Sequence, residues 1–145
     1  MPDQTASEKF RRLLKKYNEY DRNAYQLIYE ALDYAHVKKH GRKRGHVTTQ
    51  ELAAGLRLYA IDQFGCLAKT VLNSMNIKTT RDLGEIVFQL IKSDLLGSTA
   101  KDKKRQFNNL YDFNKAFNLK PELTYSYETK EWHVKYKQVN NSNKK

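Results

Sequence analysis

One cysteine among 145 residues excludes an internal disulfide framework and a zinc site built on several thiolates. Proline occurs twice and glycine six times, too sparsely for a collagen-like or linker-dominated chain. Acid is scarce too: 16 Asp and Glu stand against 27 Lys and Arg, a formal net charge of +11. No run approaches the roughly 18 apolar residues of a membrane span. The first residues, MPDQTASEKFRRLLKKYNEY, lack the apolar centre of a signal peptide. The expectation from these absences is a soluble, cytoplasmic, basic protein. The length falls in the range of about 100–150 residues usual for one domain, so a single core over residues 1–145 is expected.

The charge is unevenly spread. Residues 1–46 carry a net of +5, residues 47–96 a net of zero, and residues 97–145 a net of +6. The neutral middle is also the most apolar part, which marks it as scaffold and assigns the excess charge to the flanks.

Helical periodicity dominates as far as residue 118. Phe10, Leu13, Leu14 and Tyr17 fall on one helix face, with Ser7 as a cap. Asp21 or Asn23 opens a second helix carrying Tyr25, Ile28, Tyr29, Leu32 and Ala35, and Gly41 stops it. Thr48 and Glu51 form a capping box for a third helix, with Leu52, Leu56, Tyr59 and Ala60 as its buried stripe. Phe64-Gly65 interrupts it, and Leu67, Val71, Leu72 and Met75 begin a fourth. Thr79 and Asp82 open the strongest helix, whose stripe is Leu83, Ile86, Val87, Leu90 and Ile91. Gly84 inside it costs about 1 kcal/mol relative to Ala and predicts a close helix contact. Asp112 is positioned to cap a short helix with Phe113, Ala116 and Phe117.

The tail changes to period two. With Thr129-Lys130 as a two-residue turn, Tyr127 pairs with Trp132, Tyr125 with Val134 and Leu123 with Tyr136, all six on one face. Thr-Lys is not a favoured pair for such a turn, which leaves a longer loop open. The fold expected is mainly α, a single domain of five or six helices with a C-terminal β-hairpin. Its parts are a helical core at 7–118, the hairpin at 121–139 and a frayed terminus at 140–145. A winged-helix-like arrangement of the second half is also open.

The stretches NAYQLIYEALDYA, HVTTQELAAGLRLYAIDQFG, LAKTVLNSMNI, DLGEIVFQLIKSDLL and YDF lie within residues 23–113. As a set they resemble an uncharacterised family of small bacterial proteins, found mainly in planctomycetes and verrucomicrobia. The resemblance implies one compact bacterial cytosolic domain. It implies no activity, and no site residue is carried over from it.

Chemistry has few places to reside. The loop KKHGRKRGH holds Lys38, Lys39, Arg42, Lys43 and Arg44 without one acid. Lys101, Lys103, Lys104 and Arg105 make a second cluster. Each cation that neutralises a phosphate releases counterions, so both clusters are nucleic-acid-binding candidates. The plainer reading is a solvated loop that keeps the chain soluble.

A winged helix-turn-helix would use the fourth and fifth helices, with residues 98–106 as a wing before Tyr111–Phe113. Its reading face would be Arg81, Asp82, Glu85, Gln89 and Lys92, and two carboxylates there argue against base readout. In the tail, Tyr125, Tyr127, Trp132 and Tyr136 form a stacking or interface surface, although packing on the helices explains six matched apolar residues better.

His36 and His40 have the i, i+4 spacing of metal ligands, but their cationic neighbours repel a metal and no carboxylate completes the shell. Asp21, Glu30 and Asp33 read as surface charges. Cys66 reads as a small buried filler. No phosphate loop, nucleophile elbow or metalloprotease motif occurs, so neither a catalytic group nor a metal or other cofactor is expected. The function expected is therefore non-catalytic binding of RNA or DNA through backbone contacts. The alternative is a protein-interaction or assembly module with an acidic partner.

Overall fold

Thr5 opens the first helix because Glu8 lies three residues beyond it. The Glu8 amide donates to Thr5 Oγ1 at 3.1 Å, and the Thr5 amide donates to Glu8 Oε1 at 3.3 Å. The cap is thus Thr5 and not Ser7, which sits inside the first turn. This computed structural model describes residues 5–41, 47–97 and 104–139, excluding the side chains of Lys39 and His40.

Within those residues the helices are α1 (Ala6–Lys16), α2 (Arg22–His40), α3 (Thr49–Phe64), α4 (Ala68–Ser74), α5 (Thr80–Lys92) and the single turn α6 (Phe113–Ala116). Two 3₁₀ turns, Gly65–Leu67 and Lys104–Phe107, join the set. Strands β1 (Leu119–Ser126) and β2 (Glu131–Gln138) form an antiparallel two-stranded sheet. The protein is mainly helical with a C-terminal β-hairpin.

Local signals set the helix ends. The Thr48–Glu51 box is formed, with the Glu51 amide 3.1 Å from Thr48 Oγ1. Asp82 Oδ2 accepts the amides of Lys78 at 2.8 Å and Thr79 at 3.0 Å. Gly41 ends α2 in the left-handed region at φ 70°. Asp21 stands at the cap position of α2, but its side chain makes no capping bond. Asp94 adopts φ 58° after α5, and the Leu95 amide returns to the Leu90 carbonyl at 2.9 Å.

The core lies between α2, α3 and α5. Helices α2 and α3 run antiparallel, because Ala35 lies against Gly55 while Glu30 meets the hydroxyl of Tyr59. A Cβ on Gly55 would sit 2.8 Å from that of Ala35, so small residues permit the close crossing. Helix α5 runs parallel to α2, with Tyr20 bonded to Asp82, Tyr25 to Gln89 and Tyr29 to the Leu95 carbonyl. Leu83, Ile86 and Leu90 of α5 are fully enclosed. Gly84 marks the expected close contact, though with a turn and not a helix. A Cβ there would lie 2.8 Å from Cβ of Phe107 and 3.0 Å from the Lys104 carbonyl.

The hairpin register differs from the expected one by two residues. Tyr125 faces Trp132, Leu123 faces Val134 and Pro121 faces Tyr136. The loop is Tyr127–Lys130, four residues long, closed by the Lys130 amide on the Ser126 carbonyl at 2.8 Å. Lys130 supplies the left-handed residue of that turn at φ 60°. A slip of two preserves the facing of every side chain, so the aromatic face survives the change.

Candidate nucleic-acid interface

The two basic segments are described only in part. Lys38 is exposed at the end of α2, with its ammonium 5.5 Å from the centre of the Tyr34 ring. Arg42, Lys43 and Arg44, together with Lys101 and Lys103, lie outside the described residues, as does the side chain of Lys39. Lys104 pairs with Glu85 at 2.9 Å and lies 4.7 Å over the Phe88 ring, while Arg105 is exposed.

The described ends of both segments nevertheless meet. Thr49, three residues after the first, donates its hydroxyl to Gln106 Oε1 at 3.2 Å, one residue after Arg105. His36, Val47, Thr48, Gly97 and Phe107 line one cavity of about 180 Å³. Val47 and Gly97 are the described residues that follow position 46 and precede position 98, and both lie at this one depression. Gly84 makes this arrangement possible by letting the turn of Phe107 press on the α5 backbone.

Three of the five side chains expected on the exposed face of α5 are engaged within the protein. Gln89, expected on its exposed face, is buried and accepts the Tyr25 hydroxyl at 2.5 Å. Asp82 accepts the Tyr20 hydroxyl at 2.6 Å, and Glu85 is committed to Lys104. Of the five reading-face residues, Arg81 and Lys92 are exposed. The periodic stripe was misleading because neighbours cover this helix on more than one side. Of the expected wing, residues 104–106 belong to a 3₁₀ turn and residues 98–103 lie outside the described residues. Tyr111 and Asp112 join no strand, and Phe113 begins α6.

The hairpin departs most from expectation. Apart from Tyr136, its apolar face does not pack on the helices: Trp132 is 68% exposed and Tyr127 85%. Leu123, Tyr125 and Val134 are exposed as well. The rings instead pack on one another, with Tyr125 edge-on to Trp132 at 5.2 Å and to Tyr127 at 4.9 Å between centroids. Only the base of the hairpin is docked. The Val139 amide donates to the Asn118 carbonyl at 2.7 Å, and Gln138 bridges the Lys115 carbonyl and Arg57. The Tyr136 ring occupies the space a Cβ on Gly65 would fill.

Five tyrosines hold their protons tightly. Burial, and then the bond to Asp82, pushes the Tyr20 phenol well above its usual value. Burial raises Tyr25 to about 12, and burial with the Glu30 bond raises Tyr59 to about 12. Tyr29 and Tyr111 are raised by burial too, their hydroxyls reaching the carbonyls of Leu95 and Ala53. Their geometry is that of structural donors, not of proton acceptors near pH 7.

Cys66 is exposed and not a core filler, because the 3₁₀ turn at Gly65–Leu67 carries it out of the α3 stripe. Among the described residues no three His, Cys, Asp or Glu side chains group as a metal site, and no helix is long and apolar enough to cross a membrane. Sequence reasoning missed one set of cations. Lys9, Arg12 and Lys16 recur at helical spacing along α1 and share a cleft with Lys92 of α5. That spacing was the available signal; the approach of α5 was not readable.

No protein family, curated protein or solved structure matches the chain.

Proposed function

We propose that the protein is a non-catalytic nucleic-acid-binding module of the cytoplasm. It takes RNA or DNA by the backbone, with low sequence preference. The observation that carries this reading is the Thr49–Gln106 hydrogen bond, which ties the root of the 38–46 segment to that of the 101–105 segment. Cations on segments rooted beside one depression can act on one strand, whereas cations on segments rooted on opposite faces cannot. The absence of a polar reading face on α5 favours backbone contact over base readout. The exposed rings of Tyr127 and Trp132, with Tyr125 beside them, offer unpaired bases a stacking surface, while the Tyr136 ring is seated against Gly65. The test is fluorescence anisotropy with labelled single-stranded and duplex oligonucleotides at low salt. Charge reversal at Arg42, Lys43 and Arg44 together is expected to weaken binding at least tenfold without changing the circular dichroism spectrum. Unchanged affinity contradicts the reading.

A protein-interaction module is the second reading, and Leu123 and Val134 favour it. Aliphatic side chains on the exposed hairpin face gain little from a base but are readily buried by another protein. Recovery of one acidic protein after nuclease treatment, dependent on Trp132, would favour this reading over the first.

A further inference from the structure

The exposed face of the hairpin carries no charge at any strand position. Residues directly opposite in an antiparallel pair share a face. The odd-numbered positions of β1 therefore lie with the even-numbered positions of β2, and none of these is an acid or a base. The four lysines and three glutamates of residues 119–138 fall on the opposite face or in the turn. The hairpin is thus nearly neutral within a chain of net charge +11.

A two-stranded hairpin alone is marginal in water, and this one is held at its base by Tyr136, Gln138 and Val139. Beyond Tyr136 the apolar face stays exposed as far as the turn, at Leu123, Tyr125, Tyr127, Trp132 and Val134. These five residues expose on the order of 600 Å², at the top of the range for a patch on a monomer. Two such faces meeting would bury about 1,200 Å², which is the lower end of specific protein interfaces.

Charge selects among the occupants. An acidic partner finds no cation on these strand positions. A nucleic-acid strand finds rings there, but no basic groove beside them on the same face. Two copies of a chain this basic repel one another wherever their cations face, whereas here they meet without opposing charge.

We propose that the apolar hairpin face is a self-association surface, closed by the same face of a second copy in an isologous pair. The inference names the partner for the protein-interaction reading of the hairpin, and it rests on that reading and not on the basic segments. A copy seated there covers Trp132 and Tyr127, so pairing and base stacking compete for the same rings.

Trp132 is the one tryptophan of the chain, so its emission reports on this face. The nuclease-treated full chain is followed by sedimentation equilibrium and tryptophan fluorescence across a concentration series reaching the high micromolar range. The mass should rise from 17.1 kDa toward twice that value, with Trp132 emission moving to the blue at the same midpoint. Added salt should preserve or strengthen the pair, because it screens repulsion between basic copies. Leu123→Lys puts a charge into the face and should weaken pairing at least tenfold. Tyr127→Ser lies in the turn, outside the ladder, and should weaken pairing even if Leu123→Lys disturbs the strands. Thr124→Lys, on the opposite face of β1, should leave the mass curve unchanged. Circular dichroism checks the fold of each variant. A mass of 17.1 kDa at every concentration overturns the proposal. Quenching of Trp132 by a single-stranded oligonucleotide in that monomer then gives the face to bases, and capture of a different protein through Trp132 keeps the wider interaction reading without self-association. Association abolished by salt, or weakened equally by Thr124→Lys, also overturns it.

Discussion

The hydroxyl of Tyr25 donates to Oε1 of Gln89 at 2.5 Å, and both side chains are enclosed in the core. This bond joins α2 to α5 and gives the buried amide its partner. Tyr25→Phe leaves the Gln89 oxygen without that donor, at a cost of about 1–3 kcal/mol. Gln89→Leu leaves the phenol unpaired instead. The double replacement by Phe and Leu should cost less than the sum of the two, because neither group is then left unsatisfied. Urea unfolding of the four proteins measures this, and strict additivity would contradict it.

Alkaline titration tests the tyrosine network as a whole. A group whose folded pKa lies above its unfolded value of about 10 contributes stability that is fully present below that value. The contribution is lost as pH rises through the folded value. Tyr25 and Tyr59, each raised to about 12, place the loss between pH 10 and 12. Phenolate absorbance from Tyr25 and Tyr59 should develop only as pH nears about 12. Urea unfolding at stepped pH should show stability declining between pH 10 and 12, and constant stability there would count against the network.

Gly65 combines φ 55° with the Tyr136 ring lying where a side chain would begin. Gly65→Ala therefore strains the backbone and displaces the ring together, at about 1–3 kcal/mol. The hairpin base should loosen before the helices do. Hydrogen exchange at the Val139 amide, bonded to Asn118, should accelerate more than exchange within α5. An equal change at both places would show that the hairpin and core do not separate.

Much of this architecture is legible from short signals. Thr48 with Glu51, Thr79 with Asp82, and Asp112 each mark a helix start, and each carboxylate or hydroxyl makes an end bond there. The alternation from Leu123 to Tyr136 identified the hairpin and its faces, but not the four-residue loop that sets its register. Burial was harder to read. Gln89 and Cys66 exchanged places relative to expectation, because exposure depends on which neighbours arrive from elsewhere in the chain. That Lys9, Arg12 and Lys16 of α1 share a cleft with Lys92 depends on where α5 packs, which no spacing along the chain shows.

The aromatic face separates function from stability. Trp132 and Tyr127 are too exposed to support the fold, so their replacement by Ala should leave the melting temperature unchanged. Binding of single-stranded oligonucleotides should weaken by about 1–3 kcal/mol per ring removed, while duplex binding changes less. Anisotropy on both substrates, beside thermal melts, checks the two halves. A lower melting temperature with unchanged affinity would return the face to a structural role.

The proposed role of the excess charge is to hold a nucleic-acid backbone. Its most direct test is the affinity of the full chain for a mixed RNA and DNA pool across a salt series. Log affinity should fall linearly with log salt, with a slope that grows with the number of phosphates neutralised. Charge reversal at Arg42, Lys43 and Arg44 should make that slope shallower. No retention of the pool at low salt would contradict the account.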